Sequence, residues 1–340
     1  MSNVRIEDAG IGMVLSQDVF DERGNLLLEK GIALTRTYIA RLKRLGVRRL
    51  NVHDPYAESL KHNQIIRKEL RSELRDCFSD LFRMKAADIL NFKPPAASLD
   101  KLNSVVDDVI AEAATQIDEA VNVQVRQPSE DEAQHAVNVC LLSVITGLYL
   151  KFDHRNLRDL AFGALLHDLG KSMLPPTDYD KAFLHTVFGR ELLLRSNLNA
   201  VVARIAAEHH EAFDGSGHPK GLPAKDIHPL SRLVAITNYF DNAMSTTTKD
   251  HTPRQELIEQ MMAGGNTQFD LNLLRAFLNT VAIFPVGSLI RLNTGRTAYV
   301  IGNRIHFPLR PVVRLIDDYG HTDVDLVLKP NLTITELIAE

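Results

Sequence analysis

Six side chains able to hold a metal recur in one part of this chain: His135, His167, Asp168, His185, His209 and His210. The 84 residues from His135 to His218 hold seven of the chain's 13 histidines, His154 and His218 included. Imidazole and carboxylate together suit Mn, Fe, Ni or Zn. A carboxylate shared by two such metals sets them roughly 3.5–4 Å apart, the arrangement used for in-line attack on phosphate esters. The pattern points to a metal-dependent hydrolase.

Each residue also has a plainer reading. His167 and Asp168 close the apolar run LAFGALLHDLG. Neighbours on a helix point about 100° apart, so both reach one metal, or two adjacent metals, only from a helix end or a buried groove. The alternative is a buried histidine bonded to a carboxylate. Asp131 and Glu132 precede His135 by four and three residues, which places carboxylate and imidazole on one helix face. SEDE (129–132) also makes a good acidic helix start, so capping stands beside metal binding for Asp131. His185, one turn before Gly189, reads equally as a core histidine or a ligand, and His154 reads as a loop residue. His209 and His210 end the apolar segment VVARIAAEHHE, and packing alone does not account for two adjacent imidazoles there.

Residues 214–221, DGSGHPKG, follow directly. Glycine permits close approach of a ligand to backbone, so amides from Gly215 to Gly217 are candidates to hold an anion; a simple turn is the alternative. Lys171, four residues after His167, is placed to neutralise a phosphoryl oxygen, or else is solvated. Asn238 and Asp241 share a face of an apolar helix. An asparagine carbonyl can ligate a cation, but it is neutral and weaker than a carboxylate. Asp241 is a candidate to orient a histidine from behind.

The elements that must position these groups are mostly helical. Helices are expected over 131–150, 156–170, 180–195, 198–210, 229–247, 252–263 and 270–281, with His135 on an amphipathic one. Before them, residues 56–92 read as one long polar helix ended by NFKPPAAS, since consecutive prolines cannot continue it. A second helix spans about 99–124. These two pack together or pair two subunits. Residues 1–54 alternate as strands around a DERGN turn with one short helix at 35–47. Residues 283–335 again show strand-like alternation. The expected organisation is a small accessory module (1–55), linker or dimerisation helices (56–128), a helical catalytic domain (129–285) and a β-rich appendage (286–340).

Composition narrows the class. Apolar residues at 45% and charged residues at 24% are those of a globular domain. A net charge of −4 gives no reason to expect a nucleic-acid groove, although 39 Lys and Arg leave room for a local basic patch. Cys77 and Cys140 lack metal spacing and fit a reducing compartment. MSNVRIEDAG is not a secretory signal, and VCLLSVITGLYL is too short to span a bilayer. A cytoplasmic location is expected.

Taken in order, His135, HDLGK (167–171), His185 with Gly189, HHEAFDGSGHPKGL (209–222) and NYFDNAMS (238–245) resemble the HD-GYP phosphodiesterases of the HD superfamily over roughly 130–285. The resemblance implies a mainly α fold: an HD-superfamily helical bundle with a small N-terminal α/β module and a small β-rich C-terminal appendage. It implies hydrolysis of cyclic di-GMP to pGpG, then GMP, at two or three divalent metals, Fe or Mn foremost, with Ni or Zn as alternatives. Carried over by position, His135, His167, Asp168, His185, His209 and His210 are the implied ligands, with Asp168 bridging and Asp131 serving a third metal. Lys171 matches the phosphate-contacting lysine. Gly215, Gly217, His218 and Pro219 stand in the signature loop, with Gly-His-Pro in place of Gly-Tyr-Pro.

Three departures mark the chain. Asn238 stands where the family has a metal-binding aspartate. TTTKDHTP (246–253), with Lys249 as its candidate nucleotide contact, replaces an arginine-proline-tyrosine segment. Only 17 positions separate Asp168 from His185, shorter than the usual lid-like spacer. They motivate a second expectation, a degenerate domain that binds cyclic di-GMP or a signalling protein partner without hydrolysis. The long helices allow a homodimer, or packing within one chain.

Overall fold

The computed structural model describes residues 2–21, 24–60, 66–83, 96–115, 121–122, 131–174, 182–196, 198–250, 254–317 and 320–339. The chain divides into two compact units. One joins residues 1–63 to 282–340; the other is 64–281. The fold is mainly helical, with small β elements at the N-terminal side and a β-sheet at the C-terminal side.

The first unit begins with strands β1 (Ser2–Arg5), β2 (Val14–Leu15), β3 (Val19–Phe20) and β4 (Leu26–Leu28). Helix α1 (Arg36–Arg44), strand β5 (Arg49–His53) and helix α2 (Pro55–Leu60) follow. The Thr35 hydroxyl caps α1 by accepting from the Tyr38 amide at 3.2 Å. β5 pairs antiparallel with both β1 and β2, and its alternation buries Leu50 and Val52.

The second unit holds α3 (Lys68–Arg83), α4 (Ala96–Ala114) and a two-residue strand β6 (Val121–Asn122). Then come α5 (Glu132–Tyr149), α6 (His154–Leu166), α7 (Ala182–Leu194), α8 (Ala200–Glu208), α9 (Pro229–Asp250), α10 (Arg254–Ala263) and α11 (Leu271–Thr280). α3 buries Leu70, Leu74, Cys77, Phe78 and Leu81, the single stripe that a 3.6-residue period produces. It packs on both α4 and α5.

Short strand β7 (Val281–Ala282) leads back to the first unit. There β8 (Leu289–Leu292), β9 (Thr297–Gly302), β10 (Val312–Asp317), β11 (Gly320–Asp325) and β12 (Ile334–Ala339) form an antiparallel sheet of order β11-β10-β9-β8-β12. Leu289 and Tyr299 share one core with Val4, Leu15, Leu50 and Val52. Glu336 accepts from Arg5 at 2.7 Å and from Arg291 at 3.0 Å. The two ends of the chain thus build one body, where alternation alone had suggested two separate modules.

Several elements differ from the sequence expectation. The single helix over 56–92 is two helices, α2 and α3, with a bend at Ile66. The helix expected to reach 124 ends at Ala114, and Val121–Asn122 is extended. Residues 91–95, expected to stop the first helix, lie outside the described residues. So do 175–181, where a lid-like spacer was expected to be short, and 251–253 of the segment at 246–253. α5 is not amphipathic: His135 through Gly147 are all buried, so it is the bundle's central rod. Every polar group on it must therefore find a partner inside.

α6 stops at Leu166, four residues earlier than its apolar run suggests, and a 3₁₀ turn follows at Leu169–Met173. This turn lies against α7 at a glycine contact. A Cβ on Gly170 would sit 2.0 Å from the His185 carbonyl oxygen and 2.4 Å from the Gly189 amide nitrogen. Both obstacles are backbone, so they cannot rotate away. We expect Gly170→Ala to push α7 off the turn, costing about 1–3 kcal/mol as overpacking does, and to displace His185. Gly189→Ala, whose Cβ would meet Ala206 Cβ at 3.5 Å, should be tolerated better. Thermal unfolding of the two variants checks the ranking; equal stabilities would refute it.

Candidate metal centre

The break between α6 and the 3₁₀ turn is what turns His167 and Asp168 inward together. His167 caps the C-terminus of α6, and Asp168 has left helical geometry at φ −97°, ψ 6°. His209 likewise caps the C-terminus of α8. Two helix ends therefore deliver ligands, while His135 comes from the buried rod α5 and His185 from α7.

These groups converge on the Asp168 carboxylate, which is 3% exposed. Oδ2 lies 3.2 Å from His167 Nε2 and 3.7 Å from His135 Nε2. Oδ1 lies 3.3 Å from His185 Nε2 and 3.7 Å from His209 Nε2. Two sets of potential ligand atoms result, each within 4.8 Å of one another: His135, His167 and Asp168, and Asp168, His185, His209 and His210. Asp168 belongs to both, which is the arrangement of a bridging carboxylate.

The far side of the rings shows what the near side offers. His135 Nδ1 is 2.6 Å from Asp241 Oδ2, His167 Nδ1 is 2.7 Å from the Ala164 carbonyl, and His209 Nδ1 is 2.9 Å from the Ala206 carbonyl. Oxygens that only accept require the proton on each Nδ1. In the neutral rings each Nε2 then carries a bare lone pair facing Asp168. His135 Nε2, His167 Nε2 and Asp168 Oδ1 are buried without a hydrogen-bond partner. His185 Nε2 and His209 Nε2 lie 3.2 Å apart. The bare Nε2 atoms of His135 and His167 face the Asp168 carboxylate, acceptor against acceptor, and each buried unsatisfied group costs about 1–3 kcal/mol. A divalent cation removes that conflict, and imidazoles held from behind by carbonyl or carboxylate are how proteins orient metal ligands. The residues present fit divalent-metal binding.

Electrostatics agree. Burial drives His185 down to about 3 and His209 down to about 4, and pushes His210 lower still, so these rings are neutral near pH 7. Burial would raise Asp168, but the adjacent Lys171 ammonium counters it, and the carboxyl lies well below its usual range. Burial opposes the Lys171 ammonium too, yet Asp168 and Glu132 keep it protonated above the ordinary lysine value. Lys171 Nζ donates to Asp168 Oδ2 at 2.6 Å and Glu132 Oε2 at 3.1 Å.

The remaining expected residues fall in different places. Asp131 caps α5 through the Ala133 amide at 3.2 Å and pairs with Arg75; it is in neither ligand set. Asn238 is buried on α9, and its carbonyl oxygen accepts from Asn242 Nδ2 at 2.8 Å. Lys249 lies on α9, but its side chain is outside the described residues. In the glycine loop, the Gly215 amide donates to the Ala212 carbonyl and the Ser216 amide to Asp214. The anion cradle read there gives way, at those two amides, to bonds within the loop. A Cβ on Gly217 would lie 2.1 Å from the Ala212 nitrogen, so only glycine fits. The loop sets the His218 ring against that of His210, centroids 4.8 Å apart, with Pro219 after it.

Sequence reading passed over several contributors. Glu211 accepts the Lys220 and Leu222 amides at 2.8 and 2.9 Å and so clamps the loop. Asn138 donates to Asp241 Oδ1 at 2.8 Å; its only signal was a polar residue in an apolar run. Arg71 reaches Asn138 Oδ1 at 3.2 Å from 67 positions away, and nothing local announces that contact.

Comparisons with known proteins follow the same outline. Residues 119–273 match the HD domain, and 289–340 match a KOW domain associated with HD domain. A cyclic di-GMP phosphodiesterase of Pseudomonas aeruginosa is 29% identical over 267 residues, 73% of this chain and 64% of that protein. A cyclic di-GMP phosphodiesterase of Thermotoga maritima is 31% identical over 134 residues, 35% of this chain and 36% of that one. A 3'3'-cGAMP-specific phosphodiesterase of Vibrio cholerae is 34% identical over 127 residues, 33% of this chain and 24% of that one. The chain thus matches less than two thirds of each relative's length. No helix among the described residues is long and apolar enough to cross a membrane.

Two outcomes are expected. Asp241→Asn removes the charge that holds His135 Nδ1–H and should weaken metal binding about 10- to 100-fold; calorimetric titration with Mn(II) checks it, and unchanged affinity would remove Asp241 from the centre. In metal-free protein, His185 and His209 titrate below their unfolded value of 6.5. The unfolded chain then binds protons first, so stability should be full above about pH 6.5 and fall as pH drops toward about 4. Denaturant midpoints that stay flat across that window would contradict the neutral-ring assignment.

Proposed function

Because this chain belongs to the HD-domain family, with homology to cyclic di-GMP phosphodiesterases of the HD-GYP type, we propose that it is a metal-dependent phosphodiesterase that hydrolyses cyclic di-GMP to pGpG and onward to GMP. One observation carries the reading: the convergence of bare, buried histidine nitrogens on a shared Asp168. Fe or Mn suits that donor set best, with Ni or Zn as alternatives. Two such ions, when bound, supply Lewis acidity and lower the pKa of a water. His135 and His167 would hold one of them and His185, His209 and His210 the other, with Asp168 common to both sets.

The chain's own residues do the rest. Lys171, kept charged by Asp168 and Glu132, is the cation beside the bridging carboxylate. It offsets charge that develops on the phosphoryl oxygens as the ribose 3' oxygen departs. Asp241 fixes the His135 ring from behind. His218 offers a ring beside His210 on which a nucleobase can stack, the part that Gly215, Gly217 and Pro219 frame. Asn238 adds a neutral oxygen where a carboxylate would bind more tightly, and Lys249 is the nearest substitute for a lost arginine contact. Asp131 serves a third metal only by releasing Arg75 and the α5 cap.

A second reading has its own support. The Asn238 carbonyl is already engaged by Asn242, which favours a centre with one ligand fewer that binds a cyclic dinucleotide, or a signalling partner, without cleaving it. Protein purified without oxygen, reloaded with Fe or Mn and assayed for metal in the same sample, separates the two. Turnover of cyclic di-GMP to pGpG is expected, with 3'3'-cGAMP as the competing substrate. Fully metallated protein that binds cyclic di-GMP and leaves it intact would overturn hydrolysis and establish the binder.

A further inference from the structure

We propose that Arg71, on a helix that precedes the matched HD segment, is a positioning residue for the metal centre, acting on His135 through Asn138 and Asp241. This rests on the metal reading above.

The connection runs through four side chains. Arg71 Nη1 donates to Asn138 Oδ1 at 3.2 Å. Asn138 Nδ2 donates to Asp241 Oδ1 at 2.8 Å, and Asp241 Oδ2 accepts from His135 Nδ1 at 2.6 Å. Asn138, Asp241 and His135 are each no more than 1% exposed, and Arg71 is half-buried.

The chemistry gives this chain a direction. A guanidinium can only donate, so the atom of Asn138 facing Arg71 must be its oxygen. Gln134 Nε2 donates to the same oxygen at 2.8 Å. With its oxygen committed, the amide group of Asn138 must turn its NH₂ toward Asp241. That bond orients the carboxylate, which in turn demands a proton on His135 Nδ1. His135 Nε2 is then left bare and aimed at Asp168 Oδ2. Turned the other way, Asn138 would set its oxygen against the Asp241 carboxylate and loosen the ring.

Arg71 is partly withdrawn from water. Burial lowers its pKa, and the nearby Asp241 charge opposes the shift. A guanidinium is seldom buried for packing alone. One turn further along α3, Arg75 pairs with Asp131 at the start of α5. The same helix face therefore grips the site-bearing end of α5 at two points. The HD match begins at residue 119, whereas this support comes from residues 71 and 75. α3 is part of the centre's frame rather than a spacer, and a shift of α3 along α5 would be felt at His135.

Arg71→Met and Arg71→Lys test the assignment. Mn(II) affinity is measured by calorimetry, and the His135 tautomer by ¹⁵N NMR of the metal-free protein. Arg67→Met, which breaks the Arg67–Glu112 pair at the foot of α3, is the control for general loosening of that helix. Arg71→Met is expected to weaken Mn(II) binding about tenfold, as loss of outer support does, and to convert one His135 tautomer into a mixture. Arg71→Lys, which keeps the charge and the fold but loses the fixed fork, should fall between. Combined with Asp241→Asn, Arg71→Met should add little, because both act on one ring. Wild-type affinity with a single tautomer in both Arg71 variants, or a loss equalled by Arg67→Met, would overturn the role. Wild-type protein that binds no Mn(II) would overturn the metal reading and this inference with it.

Discussion

The structure depends on one electrostatic conflict. A carboxylate buried at the middle of the bundle, Asp168, faces the Nε2 atoms of His135, His167 and His209, rings whose Nδ1–H groups donate to oxygens behind them. Among the described residues, Lys171 is the cation that answers it, and it reaches one of the two carboxylate oxygens. The site makes physical sense around divalent cations. A fold that holds such groups together without them spends stability to do so.

The architecture is arranged to bear that cost. Helix ends rather than helix faces deliver His167 and His209, because a helix interior cannot aim neighbouring residues at one point. Their Nδ1 bonds go to the carbonyls three residues back, groups that the helix end leaves available. Gly170 brings the turn after Asp168 against α7 more closely than any side chain would allow. α5 supplies His135 from its first turn, and the support behind that ring is long: Asp241, Asn138 and Arg71 in series. Glu211 does for the glycine loop what these do for His135. The hydrogen bonds behind His135, His167 and His209 hold those rings in place.

Much of this was legible in the sequence, and the reasons divide cleanly. The helical class and the ligand-bearing positions announce themselves through local pattern: apolar runs that end in HD and HH, a glycine-rich loop after the second pair, a histidine one turn before a glycine. Helix ends were less visible. LAFGALLHDLG has no breaker between Gly163 and Gly170, yet α6 stops at Leu166 and the chain tightens into the 3₁₀ turn. α5 looked amphipathic because its polar residues lie on one side; they face a buried centre rather than water. Asp131 could not be assigned by spacing, since capping and metal binding ask for the same residue at the same place. The joining of residues 1–63 with 282–340, and the reach of Arg71 to Asn138, rest on contacts between distant parts of the chain. No local pattern encodes those.

The central claim is that Asp168 bridges two divalent metals. Anomalous diffraction at the Mn edge, from crystals saturated with Mn(II), tests it most directly. The account predicts two peaks within about 4 Å of each other, one beside His135 and His167 and one beside His185, His209 and His210, with an Asp168 oxygen on each. A single peak, or none, with Asp168 held only by Lys171 in saturated crystals would contradict it.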